Sequence, residues 1–210
     1  LSYLDRSTIY CRENVLKALC RLGNEDALEQ ALRLLQENGW YHNPKLISDG
    51  MAEFCGDREK LARRLWPQKW NDVMRTTLIQ FMNQLPEDLS QLVLPELSSR
   101  QHETCFAAIR YFARHVEEKA GPLLRDIVRK DEDTAAVAAR ALRSYPGEET
   151  KQTPIKALRS RNWYVRQNAA ASLVDMDLSQ KEIKALCSDE DRYAREMFIY
   201  VLESRGKLKC

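Results

Sequence analysis

The stretch Asn162-Trp163-Tyr164-Val165-Arg166-Gln167-Asn168-Ala169-Ala170-Ala171-Ser172-Leu173 decides the fold. Asn162 is a helix-start residue, because its short side chain can accept a bond from an orphan N–H of the first turn. Small or apolar residues follow at Val165, Ala169, Ala170 and Leu173, the spacing of one helical face. Adjacent alanines on that face let a neighbouring helix approach closely.

The same pattern recurs along the chain. With Leu173 as anchor, the equivalent apolar residues are Leu19, Phe54, Met82, Phe112, Leu142 and Leu202, at successive separations of 35, 28, 30, 31, 31 and 29 residues. Two helices of about a dozen residues and two short turns fill that length. Eleven residues before each anchor stand Thr8, Asn43, Asn71, Gln101, Asp131, Asn162 and Asp191. All but Gln101 are good N-caps, so the register predicts seven second helices starting at these positions. Pro44, directly after Asn43, suits a first helical position.

First helices are expected between them, over 25–37, 57–66, 87–98, 119–130, 150–160 and 179–188. Leu28, Leu32 and Leu35 supply the apolar face of the first, and Leu123, Leu124 and Ile127 that of a later one. Pro86, Pro122 and Pro154 fall near three of the starts. The expectation is an all-α solenoid of six complete helix pairs plus an N-terminal half repeat, forming one domain over 1–210. Leu1-Ser2-Tyr3-Leu4 is all that represents the missing first helix, so the natural protein is expected to continue upstream.

The run Trp163 to Leu173 resembles the second-helix signature of HEAT repeats, in the short form of about 30 residues known from bacteria. Asp191-Arg192-Tyr193-Ala194-Arg195, Asn71-Asp72-Val73-Met74-Arg75 and Thr8-Ile9-Tyr10-Cys11-Arg12 resemble its opening. The second repeat departs furthest: Gly50 stands where an alanine belongs, and no arginine matches Arg166. The resemblance implies a right-handed, armadillo-type superhelix, with first helices outside and second helices lining a concave face.

Bulk properties are ordinary for a soluble protein. The chain of 210 residues has 44% hydrophobic and 30% charged residues, mean hydropathy −0.54 and net charge +2, a balance that demands neither nucleic acid nor an anionic membrane. No apolar run is long enough to span a bilayer. A cytoplasmic location is expected, or the soluble part of a membrane-anchored protein. Cys11, Cys20, Cys55, Cys105, Cys187 and Cys210 contain no C-x-x-C pair and no zinc spacing, and read as buried free thiols in a reducing compartment.

Motifs for chemistry are missing: no G-x-G-x-x-G, P-loop, H-E-x-x-H or G-x-S-x-G occurs. His42, His102 and His115 fit turns and helix ends. The sequence therefore predicts no enzyme activity, no cofactor and no metal.

Arg12, Arg75, Arg166 and Arg195 share one register position. They read as a structural ladder bridging to carboxylates or carbonyls of the next repeat, with Asp189 and Asp191 as candidate partners, or alternatively as a ligand-binding row. The triplets Tyr10/Arg12/Glu13, Tyr164/Arg166/Gln167 and Tyr193/Arg195/Glu196 combine residues favoured at interfaces. Trp163, Tyr164, Gln167, Tyr193, Glu196 and Tyr200 are therefore candidate partner-binding residues, with Arg110 and Arg140 on the same sampled face. Trp163 reads equally as a staple across its own turn. Trp40, Trp66 and Trp70 read as turn packing.

The face sampled two residues before each anchor is Lys17, Ala52, Gln80, Arg110, Arg140, Ala171 and Tyr200. It is mixed, with modest basic character at Arg110, Arg114, Arg140 and Arg143, and lacks the dense stripe of a nucleic-acid groove. The expected function is a monomeric, non-enzymatic scaffold that binds a protein or peptide. Two alternatives come with the resemblance: an alkylpurine DNA glycosylase with Trp163, Asp175 and Arg166 as candidates, and a bilin-lyase-like chromophore chaperone.

Overall fold

A computed structural model describes residues 8–39, 43–176 and 178–207. Leu1–Leu4, Trp40, His42, Cys210 and the side chain of Tyr10, each given a role above, lie outside the described residues. All regular structure among the described residues is helical. The chain divides into two compact units, Leu1–Glu96 and Leu97–Cys210.

In the first unit, helices α1 (Ile9–Leu22), α3 (Pro44–Ala52) and α5 (Asp72–Met82) pack one on the next. Helix α2 (Glu25–Glu37) packs on α1, and α4 (Arg58–Leu65) on α5. Gly50 explains the divergence of the second repeat. A Cβ there would meet Lys17 Cγ at 3.2 Å, so α1 and α3 approach too closely for the expected alanine to fit without displacing Lys17. The first unit ends in α6 (Ser90–Val93), which runs into a 3-10 turn, Leu94–Ser98.

In the second unit, α7 (His102–Arg114), α9 (Ala135–Ala141), α11 (Trp163–Asp175) and α13 (Arg192–Ser204) pack successively. Helices α8 (Ala120–Lys130), α10 (Glu148–Ala157) and α12 (Gln180–Cys187) each pack on the second helix that follows them in sequence. The seams are made of alanine: Ala108, Ala135, Ala138, Ala139, Ala169, Ala170 and Ala194 are all completely buried. Phe112, Leu173 and Phe198 fill the space between the layers.

The caps largely follow the expected register. Asn43, Asn71, Asn162 and Asp191 each accept a first-turn backbone N–H. Thr8 and Gln101 hold N-cap positions without a side-chain cap bond. Asp131 is a correction. It terminates α8 in the left-handed conformation, φ 55°, and α9 starts from Thr134 instead. Aspartate tolerates this conformation better than most residues. Its carboxylate is used sideways, accepting the Ser160 hydroxyl at 2.6 and 2.9 Å.

Four further expectations are corrected. Leu19 is only half-buried; Leu16 and Cys20 face the core of α1. Pro154 lies inside α10, because Gly147, with φ 116°, lets the chain turn into a helix beginning at Glu148. The span 87–98 is a short helix and a 3-10 turn, not one helix. Cys11 and Cys55 are exposed, while burial pushes the Cys20 thiol up to about 12, with the Glu53 charge adding to the effect.

Ser172, fully buried, donates to the Ala139 carbonyl of α9 at 2.6 Å and lies 3.1 Å from the Arg140 carbonyl. It ties α11 to α9 where alanine seams alone offer no direction. Ser172→Ala should lower stability by about 1–3 kcal/mol, the cost of leaving a buried acceptor unmet. Urea denaturation of the two proteins measures it, and an unchanged midpoint would contradict the assignment.

Candidate functional site

The arginines of the shared register bind backbone carbonyls. Arg166 Nη1 donates to the Ser160 and Arg161 carbonyls at 2.7 and 3.0 Å. Arg195 Nη1 donates to the Asp189 carbonyl at 2.6 Å. Arg75 Nη1 donates to the Trp66 carbonyl at 2.7 Å, while its guanidinium lies 3.5 Å from the centre of the Trp66 ring and pairs with Glu96 at 2.9 Å. Each carbonyl lies in the turn leading into the arginine's own helix, not in the next repeat. A guanidinium suits this position because its fork reaches carbonyls left free at the preceding helix end. Arg12 makes interactions of its own on α1.

Ties between successive turns come from other residues. Arg159 pairs with Asp189 at 2.7 Å, and Ser160 with Asp131. Positions 131, 160 and 189 are spaced 29 residues apart, a repeat signal present in the sequence but masked by reading Asp131 as a cap. Asp191 acts as the N-cap of α13, its carboxylate accepting from the Ala194 N–H. Trp66 is buried in the turn after α4, and Trp70 donates from Nε1 to the Leu65 carbonyl at 2.7 Å.

The aromatic candidates are at the surface. Trp163, Tyr164, Tyr193 and Tyr200 are 46%, 64%, 68% and 56% exposed. Trp163 and Tyr164 meet edge to face at 5.2 Å between ring centres. The Arg166 guanidinium, held by its carbonyls, lies 5.6 Å from the centre of the Tyr193 ring. This contact joins the start of α11 to the start of α13. Tyr193, Glu196 and Tyr200 follow one another at helical spacing along α13. Glu196 pairs with Arg192 at 2.7 Å, and Gln167 is half-buried at the matching position on α11.

Further along the same face, Arg110 is exposed on α7. Arg140, on α9, reaches Asp175 at the end of α11 at 2.9 Å; Arg143 reaches it at 3.2 Å and Arg205 at 3.8 Å. Burial raises the pKa of Asp175, but the arginines outweigh it and hold the carboxyl below its ordinary value. In the first unit two of the corresponding positions, Ser48 and Thr76, are buried, 1% and 3% exposed.

The structure does not bring together the residues of the glycosylase alternative. Trp163 and Asp175 stand at opposite ends of α11, about 18 Å apart at 1.5 Å per residue. Among the described residues no group of three or more His, Cys, Asp or Glu side chains could hold a metal ion, and no helix is long and apolar enough to cross a membrane. His102 pairs with Asp133 at 3.3 Å at the surface, and His115 stacks on Tyr111 at 4.3 Å.

A sequence profile for HEAT repeats matches residues 122–203, from α8 to α13. This stretch is similar to HEAT repeats. No curated protein matches the chain. HEAT repeats generally serve as protein-interaction scaffolds, and the matched stretch contains the Arg166 and Arg195 carbonyl ties and the exposed aromatics.

Arg166→Met keeps an apolar stem but leaves the Ser160 and Arg161 carbonyls without their charged donor. It should destabilise the protein by about 1.5–3 kcal/mol, the range for hydrogen bonds to charged groups. Thermal and urea unfolding test this, and a variant as stable as the parent would contradict the tie.

Proposed function

We propose that this protein is a non-enzymatic scaffold, and that it docks a protein or peptide on the face of α11 and α13 that carries Trp163, Tyr164, Tyr193 and Tyr200. The observation behind this is the distribution of aromatics. Among the described residues, every large aromatic on the exposed surface falls on these two helices, while Phe81, Tyr111, Phe112 and Phe198 are fully buried. Aromatic side chains left in water lose the transfer free energy that burial would supply, on the order of 25 cal/mol per Å². Tyrosine and tryptophan recover it on docking and keep a polar tip for hydrogen bonding.

The scaffold beneath is suited to the task. Arg166 is fixed by carbonyls and packs against Tyr193, so the patch is held in place before a partner arrives. Gln167 and Glu196 supply a polar rim. HEAT repeats as protein-interaction scaffolds support the partner class.

A Trp163→Ala/Tyr164→Ala/Tyr193→Ala variant should fold, since all three side chains are largely in solvent. In pull-downs from the source cells it should lose partners that the parent recovers, with recovery falling at least about tenfold for a central hot spot. Equal recovery by the two proteins would contradict this docking face.

A further inference from the structure

We infer that the docked segment is acidic, and that its carboxylates seat on the cluster formed by Arg140, Arg143 and Arg205 around Asp175. This rests on the docking reading above and specifies the chemistry of the partner.

The cluster is short of negative charge. Three guanidinium groups converge on one carboxylate: Arg140 at 2.9 Å, Arg143 at 3.2 Å and Arg205 at 3.8 Å. Among the described residues, the ion pairs of all three arginines end on Asp175. Among the described residues, these ion pairs set one unit of negative charge against three positive ones, an excess of two. Arg140 registers the imbalance: burial lowers its pKa first, and the Arg143 and Arg205 charges lower it further. One of its nitrogens, Nη1, is buried with no hydrogen-bond partner among the described residues, so Asp175 leaves this guanidinium only partly satisfied.

The surroundings extend the cationic field. Arg110 and Arg114 are exposed on α7, and Arg110 occupies the position on α7 that Arg140 occupies on α9. A shallow pocket of about 310 Å³ opens beside the cluster, lined in part by Arg143, Tyr145, Lys151 and Asp175. Tyr200 occupies the same register on α13. An acidic segment with apolar residues would therefore find guanidinium forks at one end of this face and aromatic rings at the other. A nucleic acid fits less well. Its regular phosphates call for a continuous cationic stripe, whereas Ala171, Gln167 and Glu196 interrupt this one.

The test uses the whole chain and a fluorescein-labelled deca-glutamate peptide, with deca-glutamine and deca-thymidine as comparison probes, followed by anisotropy at low salt. Deca-glutamate should bind, deca-glutamine should not, and added salt should weaken the binding. Arg143→Gln/Arg205→Gln should weaken it by about tenfold or more, while Asp175→Asn, which removes the competing carboxylate, should strengthen it by about threefold or more. Arg143 and Arg205 are 42% and 46% exposed, so their replacement spares the fold. Lys45→Gln/Arg63→Gln removes the same charge from exposed sites in the first unit and should change binding by less than about twofold.

Equal losses in both double variants would overturn the proposal, as would an unchanged Asp175→Asn or tighter binding of deca-thymidine at the same arginines. The docking reading is judged separately. If the aromatic triple variant loses cellular partners and Arg143→Gln/Arg205→Gln retains them, the acidic preference falls and the docking face stands. If both variants retain them, both fall.

Discussion

The close approach of successive second helices governs the second unit. Side chains of one carbon at Ala108, Ala138, Ala139, Ala169, Ala170 and Ala194 leave room for backbones to come together, and each is completely buried. Close packing of this kind maximises dispersion contacts but gives little direction, because alanine has no shape to interlock. Direction comes from sparse polar ties: Ser172 to the Ala139 carbonyl, Tyr145 Oη to the Phe112 carbonyl at 2.9 Å, and Arg166 to the turn before its own helix. The burial that surrounds the Tyr145 phenol pushes its pKa up to about 12, so it remains a neutral donor.

That division of labour shapes the surface. A second helix has one side against its first helix and two sides against its neighbours, so a single strip is left for solvent. In the second unit this strip carries Arg110, Arg140, Gln167, Glu196 and Tyr200, with Tyr164 and Tyr193 at one end and Asp175 with its arginines at the other. Residues that hold the array together and residues left exposed share the same helices. Arg166 joins the two, binding carbonyls with one nitrogen and lying 5.6 Å from the centre of the exposed Tyr193 ring.

The fold was largely readable because helix period, alanine seams and caps are local signals that repeat. Asn43, Asn71, Asn162 and Asp191 cap helices as their register predicts. The failures occur where a local signal has two physical uses. Asp131 is a good cap residue but also tolerates a left-handed stop, and the Ser160 hydroxyl favours the second use. Leu19 yields its core place to Cys20 because a one-residue shift on a helix turns a side chain by about 100°. At the surface, Tyr164 and Tyr193 were legible from triplet spacing, and Trp163 and Tyr200 as aromatics of the same two repeats. The convergence on Asp175 was not: its arginines lie 35, 32 and 30 residues away in sequence, on three different segments. Only packing brings them to one point.

The central claim is that the strip on α11 and α13 is where a partner docks. Site-specific photo-crosslinking in the source cells tests it most directly, with the reactive group placed in turn at Tyr164, Tyr193 and Tyr200, and at the first-helix positions Lys130, Lys156 and Lys184. The account predicts discrete adducts from the three tyrosine positions, lost when Trp163 is replaced by alanine, and none from the lysine positions. Adducts that form from the lysine positions and not from the tyrosines would contradict it.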